Sequence, residues 1–489
     1  MINLLEVAER LRTGEKMDVK SYDLGLFRKT QELTRRHNLA QTGKPEFWDV
    51  DNAYADALFE AGIDYLAEWG AYCVTTERAV KFTQDEVRRA AREIPSQIVV
   101  GQGSDTRTIR KRDIEDTVNR PSIVVAGHSA WSDQVPVPIH IATREMVADD
   151  RVDVIQGYMY AETDRYEISD PAHWAYAARR AVERVRNGCT QAGRPGLCVV
   201  QYPTLTRAFA LTAAMDPYHG LRPTDGTMFS IQPDLHVETD YVAASYVYEE
   251  YGLAYKENQG GGANFIADIY GSMIISVASR LAAWICYRDN VQGGGGAAEP
   301  RGPQRDWGGG SPVSQLVTSE RAKKYETNWL NFAAYKALHR NTGLITKANI
   351  WGCHEAAVEQ LSEEFLLMQA MSAMRETLWG NNFHFAGSAN PPTVIRWPID
   401  VSDAVMRSRL TLRDYQELTS RIIHERLQGW QDMSRIRDQR MKAYESPSHL
   451  LDVQLEVYDF YKGKISEKYQ ENEKKVRGYL KDLGLDFRA

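Results

Sequence analysis

A carboxylate that precedes a run of glycines is the first feature of this sequence that suggests chemistry. Tyr255-Lys256-Glu257 continues through Asn258 and Gln259 into Gly260-Gly261-Gly262. Glycine lets the backbone approach a ligand closely, and we expect Glu257 at the carboxyl end of a buried strand. A carboxylate buried there could balance a cation or give up a proton, whereas on the rim it would form a surface salt bridge. The residues alone leave both interpretations open.

Asn349 and Trp351 form a second candidate pair, near the end of a strand predicted at Lys347 to Trp351. Residues two apart on a strand share a face, so both side chains are expected to point to the same side. Tryptophan offers a π face to a cationic methyl donor, and asparagine offers a hydrogen bond. Packing in the core is the competing interpretation of the tryptophan, because strands are enriched in aromatic residues for burial alone.

A third segment combines a tight turn with a buried strand. Gly193-Arg194-Pro195-Gly196 favours a turn, and the apolar run Leu197 to Val200 is typical of a strand covered on both faces. Gln201 and Tyr202 then place polar atoms at the carboxyl end of that strand. In an α/β barrel this is the end that carries the chemistry.

From about residue 121 onward, short apolar runs alternate with longer helical patterns, which predicts a parallel sheet. The fold class is therefore α/β, a (β/α)8 TIM barrel over residues 121–400, with an N-terminal helical region at 1–120 and a C-terminal helical extension at 401–489. The predicted strands are Ser122 to Ala126, Asp153 to Gly157, Leu197 to Val200, Met228 to Ile231, Leu253 to Lys256, Lys347 to Trp351 and Phe383 to Phe385, with an eighth near Val291 to Gly296.

Outside the barrel, the predictions concern helices and loops. Thr83-Gln84-Asp85-Glu86 has the form of a capping box, and a small hairpin is predicted around residues 72–82. The tail is predicted to hold helices at Leu412 to Leu427, Leu450 to Tyr461 and Glu467 to Leu483. The segment Gly293 to Pro312 is either a flexible surface loop or an active-site lid. The basic run Arg107, Arg110, Lys111 and Arg112 is predicted to be a solvated face, with binding of an acidic protein partner or a cofactor phosphate as the alternatives.

Composition excludes several classes of protein. Lys plus Arg number 59 against 66 Asp plus Glu, and this net charge of −7 argues against nucleic acid as the main partner. Five widely spaced cysteines without a CxxC pair indicate a reduced chain, and His128, His140 and His236 lack metal-ligand spacing, so no metal site is predicted. We find no candidate membrane span or secretory signal, and we expect a cytoplasmic protein.

Motifs along nearly the whole chain resemble the monomethylamine:corrinoid methyltransferase family. They are Leu58-Phe59-Glu60-Ala61-Gly62, Tyr72-Cys73, Phe82 to Glu86, Val100-Gly101-Gln102-Gly103, Arg110-Lys111-Arg112, Pro138-Ile139-His140, Ala192 to Gly196 and Leu480 to Leu485. The resemblance implies a (β/α)8 barrel that moves a methyl group from a methylated amine to the cobalt of a separate corrinoid (cobalamin) protein. It also implies a homo-oligomer with no tightly bound cofactor of its own.

The resemblance also implies roles for particular residues. The pocket glutamate of the family corresponds to Glu257, and its glutamine and tyrosine, two apart on a later strand, correspond to Asn349 and Trp351. The characterised archaeal members carry pyrrolysine, which is thought to capture the amine as a covalent adduct. Counting from Gly193-Arg194-Pro195-Gly196, that position is Val200, with Gln201 and Tyr202 as its neighbours if the register slips.

Valine cannot form such an adduct, so the predicted substrate changes. We expect a corrinoid-dependent methyltransferase without pyrrolysine, acting on a quaternary or tertiary methylated amine. Glu257 is the predicted catalytic group, and the predicted substrate contacts are Asn349, Trp351, Tyr202, Gln201 and Tyr255. Two alternatives stay open: a TIM-barrel lyase or hydrolase, and an amine-binding protein, neither using the corrinoid.

Overall fold

Eight short parallel strands close into a barrel in this computed structural model. The structure describes residues 2–40, 50–127, 131–132, 137–158, 160–162, 166, 168–201, 207–229, 235–258, 267–294, 325–350, 361–385, 390–427 and 455–488. The barrel strands are β1 (Ile123–Ala126), β2 (Val152–Gln156), β3 (Cys198–Gln201), β4 (Gly226–Phe229), β5 (Tyr255–Asn258), β6 (Val291–Gly294), β7 (Ile345–Asn349) and β8 (Asn382–Phe385).

Each barrel strand is followed along the chain by a helix. The fourteen helices described here are α1 (Leu4–Thr13), α2 (Val19–Arg36), α3 (Asn52–Glu68), α4 (Gln84–Glu93), α5 (Ile139–Met146), α6 (Pro171–Gln191), α7 (Ala208–Ala214), α8 (Thr239–Tyr251), α9 (Ile269–Tyr287), α10 (Tyr325–Asn341), α11 (Glu363–Leu378), α12 (Pro392–Ser408), α13 (Leu412–Arg426) and α14 (Glu467–Asp482). Helices α5 to α12 follow β1 to β8 in turn, so the predicted (β/α)8 barrel is confirmed.

The interior of the barrel contains a distinct apolar cluster. It takes side chains from seven strands, which can meet only at the barrel axis: Val124, Val154, Cys198, Val200, Met228, Tyr255, Val291 and Ile345. Ile98, Val100 and Ile109 join the cluster from a hairpin, Gln97–Val100 paired with Arg107–Arg110. The hairpin lies at the amino-terminal end, because the Gly101 amide donates to Thr224 O just ahead of β4. That end of the barrel is therefore plugged by apolar side chains.

The N-terminal region is more than helices. Ala71–Cys73 pairs with Arg78–Val80 as the predicted small hairpin, and Glu15–Lys16 and His236–Val237 extend it into a sheet. Thr83 closes a capping box with Glu86 at the start of α4, as predicted. Within the described ranges, no helix is long and apolar enough to cross a bilayer.

Two details of the predictions were wrong. Of the predicted helix Leu450 to Tyr461, residues 450–454 lie outside the described ranges and 455–457 are helical, but Tyr458–Asp459 pairs with Lys464–Ile465 in a short hairpin. The basic run is not a solvated face throughout, because Arg112 is 1% exposed and donates to the carbonyl oxygens of Asp116, Asn119, Thr377 and Asn381. An arginine with five donors can satisfy several buried carbonyl groups at once, which spacing alone does not reveal.

The tail packs on the outside of the barrel. Thr411 caps α13 as predicted, and α14 lies against α11 and α12, where Arg477 pairs with Asp400 at 2.8 Å. Helix α12 spans residue 400 and so continues across the predicted boundary between barrel and extension. The division of the chain into domains stays a prediction.

Candidate functional site

Glu257 projects into the barrel. It lies two residues after Tyr255 on β5, and Tyr255 belongs to the interior cluster, so the two side chains share the inner face. The expected strand Leu253 to Lys256 is shifted by two residues to Tyr255–Asn258, which places Glu257 within the strand instead of just beyond it. Glu257 is fully buried. The rim interpretation of this residue was therefore wrong.

The Glu257 carboxylate has two polar neighbours inside the barrel. Tyr255 donates its hydroxyl hydrogen to Oε2 at 3.0 Å, and Oε1 forms an ion pair with Lys347 Nζ from β7. Both residues of the ion pair are fully buried. Burial lowers the pKa of Lys347 to about 8, and the negative charge of Glu257 opposes that shift. Burial, followed by the same negative charge, raises the pKa of Tyr255 well above its usual range.

A second polar group lies beside the ion pair. His384 Nε2 on β8 is 2.7 Å from Gln156 Oε1 on β2, and Gln156 Nε2 reaches Met228 Sδ on β4. Burial lowers the pKa of His384 well below its usual value, and the positive charge of Lys347 lowers it further, so the imidazole is neutral. Barrel interiors stack in layers drawn from alternate strands. Here the odd strands β5 and β7 supply the ion pair, and the even strands supply Gln156, Met228 and His384.

The other predicted site residues have varied outcomes. Val200 lies in the interior cluster with Tyr255. Gln201 is buried but has the parity of Val199, which packs outward with the helices, and its amide makes no hydrogen bond within the described part of the chain. Asn349 ends β7 opposite His384, although its side chain lies outside the described residues. Tyr202 and Trp351 also lie outside them, as does most of the predicted lid at Gly293 to Pro312.

Lys347, His384 and Gln156 are polar interior residues that the sequence analysis missed. A weak signal for Lys347 was present in the sequence, because it lies two residues before Asn349 on the same strand and so shares its face. The structure agrees, since the preceding Thr346 points outward and hydrogen-bonds His339 at 2.7 Å. Because alternate residues of a strand point to opposite faces, Lys347 faces the barrel interior. Its partner on β5 was not predictable, because spacing within one strand says nothing about a distant strand.

The turn at Gly193-Arg194-Pro195-Gly196 has a structural role at the other end of the barrel. Arg194 donates to Asp105 Oδ1 at 2.6 Å and to Val152 O at 2.9 Å, and the Gly196 amide donates to Asp105 Oδ2 at 3.0 Å. A Cβ on Gly196 would lie 2.1 Å from Gln102 O. This turn and the segment Gly101-Gln102-Gly103 therefore hold the hairpin against the start of β3.

Metal ligation and thiol chemistry have little support in the described part of the chain. No group of three or more His, Cys, Asp or Glu residues there could hold a metal ion. His236 instead lies 3.4 Å from Asp23 and packs against Tyr22 and Tyr72. Cys73, Cys189, Cys198 and Cys286 are free and buried. The polar groups that the structure describes around Glu257 are therefore an ammonium group, a phenol, an amide and a neutral imidazole.

Known proteins similar in sequence share one description. A family model described as "Monomethylamine methyltransferase MtmB" matches residues 2–295. Monomethylamine methyltransferase MtmB2 of Methanosarcina acetivorans is 28% identical over 285 residues, which is 57% of this chain and 60% of that protein. MtmB1 of Methanosarcina barkeri is 29% identical over 283 residues, 56% of this chain and 59% of the relative. The chain thus spans about three fifths of the length of these curated relatives.

Solved structures extend the likeness of fold to the whole chain. The crystal structure of the Methanosarcina barkeri monomethylamine methyltransferase (MtmB) superposes with a TM-score of 0.76 at 20% identity, covering 99% of this chain and 98% of that one. The crystal structure of the hydroxylamine MtmB complex gives the same values. Because the family model covers more than half of the sequence, the protein belongs to the monomethylamine methyltransferase MtmB family.

Proposed function

We propose that this protein transfers a methyl group from a methylated amine to the cobalt of a corrinoid carried by a separate protein. The observation that carries the proposal is the buried Glu257 carboxylate, which projects into the barrel from β5 in a chain of this family. Active sites of such barrels lie at the carboxyl ends of the strands. A fixed charge at that depth acts in a low-dielectric environment, where it is strongest.

The preferred donor is a quaternary or tertiary amine. The reduced corrinoid supplies an electron pair that forms the cobalt–carbon bond, while the carbon–nitrogen bond breaks and its electron pair stays on nitrogen. A quaternary ammonium donor then leaves as a neutral amine without needing a proton. A tertiary amine must first be protonated to leave in the same way, so its transfer requires a nearby acid.

The chain's own residues bind and orient the donor. Glu257 balances the cationic nitrogen, and Tyr255 fixes the carboxylate through its 3.0 Å hydrogen bond. We infer that Trp351 and Tyr202 present aromatic faces to the methyl groups and that Asn349 supplies a hydrogen bond, as their sequence positions predict. Gln201, also predicted as a substrate contact, is not included, because it has the outward parity of Val199. Val200, taken as the pyrrolysine-equivalent position, contributes an apolar wall and forms no covalent adduct.

The corrinoid is a substrate in this proposal, not a cofactor bound to this chain. Its carrier protein would dock at the carboxyl-end face, since the opposite end is plugged by Val100 and Ile109. We further infer a homo-oligomer in the cytoplasm. Sedimentation velocity with and without an added corrinoid protein measures both the self-association and the complex.

One experiment separates the proposal from its competitors. The protein is incubated anaerobically with cob(I)alamin and a panel of mono- to tetramethylated amines, and the visible spectrum of the cobalt is followed. Growth of methyl-cobalt absorbance with a quaternary or tertiary donor supports the proposal. Turnover of a substrate without cobalamin indicates a lyase or hydrolase instead, and thermal protection by amines without any turnover indicates an amine-binding protein.

A specific observation favours a lyase as the second candidate function. Burial lowers the pKa of Lys347 to about 8, and the lysine lies next to a carboxylate and a phenol inside the barrel. Lysines of lowered pKa serve as nucleophiles that form imines with carbonyl substrates. Borohydride trapping with a panel of aldehydes and ketones, followed by peptide mass analysis, tests this candidate. A reduced adduct on Lys347 supports it, and an unmodified lysine rejects it.

A further inference from the structure

The Glu257 carboxylate already has a cationic partner. Lys347 Nζ contacts Oε1, so the charge expected to balance a cationic donor is balanced by the protein itself. Strand β6 places Gly293 opposite Lys347 in the register and so contributes no side chain beside the ammonium group. A small organic cation approaching Glu257 must therefore share this position with the Lys347 ammonium group.

The charge of the interior is the controlling quantity. Among the inward-facing strand side chains that the structure describes, Glu257 and Lys347 are the only charged ones, and both are fully buried. Their sum is zero when Lys347 is protonated. Adding an organic cation to this pair would leave one net positive charge among the three groups, and an uncompensated buried charge is strongly unfavourable.

Among the described groups around the ion pair, Lys347 is the one whose protonation can change. From β5 it faces Glu257 and Tyr255, and the phenol stays protonated because burial raises its pKa. From β8 it faces His384, which burial keeps neutral, and Asn382, its partner in the strand register. Gln156 on β2 completes the polar surroundings through His384 and carries no charge.

We propose that Lys347 gives up its proton when an organic cation binds beside Glu257, so that the site exchanges one proton for one cation. The charges of Glu257 and the bound cation then sum to zero, and the neutral amine of Lys347 can still donate a hydrogen bond to Glu257. Burial has already lowered the pKa of Lys347 to about 8, so this proton leaves readily. The inference rests on the proposed function for the identity of the cation, a quaternary ammonium donor.

The exchange also balances through a complete methyl transfer. The cationic donor enters as the Lys347 proton leaves to solvent. When the carbon–nitrogen bond breaks, its electron pair stays on the nitrogen, and the amine product is neutral. Lys347 then takes a proton back from solvent and restores its pair with Glu257, which favours release of the product.

Calorimetry of cation binding tests the exchange without any corrinoid. Choline is the cationic probe, and 3,3-dimethylbutan-1-ol is its uncharged carbon analogue. Titration at about pH 7 in phosphate and in Tris, whose ionisation enthalpies differ, gives the number of protons released. We expect about one proton per choline and none for the alcohol, and a choline affinity that rises about tenfold per pH unit below about pH 8 and levels off above it.

Two variants of Lys347 should change the binding in opposite directions. Lys347→Arg keeps a cation that cannot lose its proton, so choline binding should weaken by at least about tenfold. Lys347→Gln leaves the Glu257 charge unbalanced, so choline should bind more tightly and without proton release near pH 7. Circular dichroism and melting of each variant establish that it is folded. Lys474→Met, at an exposed position on α14, is the matched control and should bind like the wild type.

The result separates this inference from the proposed function. Choline binding without proton release, or choline that does not bind at any pH, overturns the exchange even if methyl transfer from another donor occurs. Proton-coupled binding in a protein that never methylates cobalt retains the exchange and overturns the proposed activity. Equal choline affinities in the wild type and Lys347→Arg also contradict the exchange.

Discussion

Replacing Lys347 by methionine should destabilise the barrel, because it removes the counter-ion of a buried carboxylate. Methionine is also unbranched and flexible, so the change removes the charge with little loss of packing. Lys347 and Glu257 are both fully buried, and the two charges are in direct contact. Breaking a buried pair by removing one partner costs about 3–5 kcal/mol, since the remaining charge has no compensation.

The expected shift in melting temperature follows from the size of the chain. An unfolding entropy of about 2.1 cal/mol/K per residue gives about 1 kcal/mol/K for 489 residues. A loss of about 3–5 kcal/mol therefore lowers Tm by about 3–5 °C. The assay is thermal unfolding at about pH 7, which is monitored by scanning calorimetry at the same scan rate for all variants.

A double variant separates the charge from the packing. Glu257→Gln in the Lys347→Met background removes the stranded charge and keeps an acceptor for the Tyr255 hydroxyl, so it should recover at least half of the lost Tm. Lys474→Met, exposed on α14, should change Tm by less than about 1 °C. The reasoning is refuted if Lys347→Met melts with the wild type, or if the double variant is no more stable than the single one.

The remaining predictions concern three other buried positions. Burial lowers the pKa of His339 to about 3, so the folded protein binds fewer protons and loses stability as the pH falls below about 6.5. His339→Gln should flatten that dependence in denaturant midpoints measured against pH. Burial raises the pKa of Asp289 well above its usual value, so Asp289→Asn should raise Tm, more at about pH 8 than at about pH 4. Gly226→Ala would bring its Cβ to 2.2 Å from Tyr255 O. We expect it to shift β5 and slow methyl transfer about a hundredfold.

Each of these predictions has a contradicting result. A His339→Gln variant with the same acid dependence as the wild type would place that dependence elsewhere. An Asp289→Asn variant that is less stable at every pH would mean that its carboxylate has a compensating partner. A Gly226→Ala variant of unchanged activity would mean that β4 and β5 can separate without moving Glu257.

The barrel was predictable from the sequence because its signal is repeated. Each buried strand is a short apolar run in the sequence, and each run is followed by a helical pattern. An error in one of these units therefore leaves the prediction of the others unchanged. Even the weakest unit, predicted near Val291 to Gly296, contains strand β6 at Val291–Gly294. The ends of the strands were less predictable. The predicted strand Leu253 to Lys256 began two residues too early, because the apolar pattern starts there, and the observed strand continues through Glu257 to Asn258.

The site was only partly predictable, because it depends on contacts between distant strands. Glu257 was predicted from its local pattern, but the ion pair with Lys347 joins β5 to β7 and depends on the stagger of the barrel. The turn at Arg194 illustrates the converse. Its residues are distinctive, yet they bind Asp105 at the plugged end of the barrel, away from the ion pair. A distinctive motif therefore indicates a position with strict geometric requirements, and at this turn those requirements are structural and not catalytic.

The most direct test of this account is the rate at which cob(I)alamin is methylated by Glu257→Gln. The donor is the best amine from the panel, and the matched control is Glu250→Gln, a neighbouring exposed position on α8. We predict that the wild type and the control form methyl-cobalt at the same rate and that Glu257→Gln, folded by circular dichroism, is slower by about 10²–10³-fold. Methylation by Glu257→Gln at the wild-type rate would contradict the central claim.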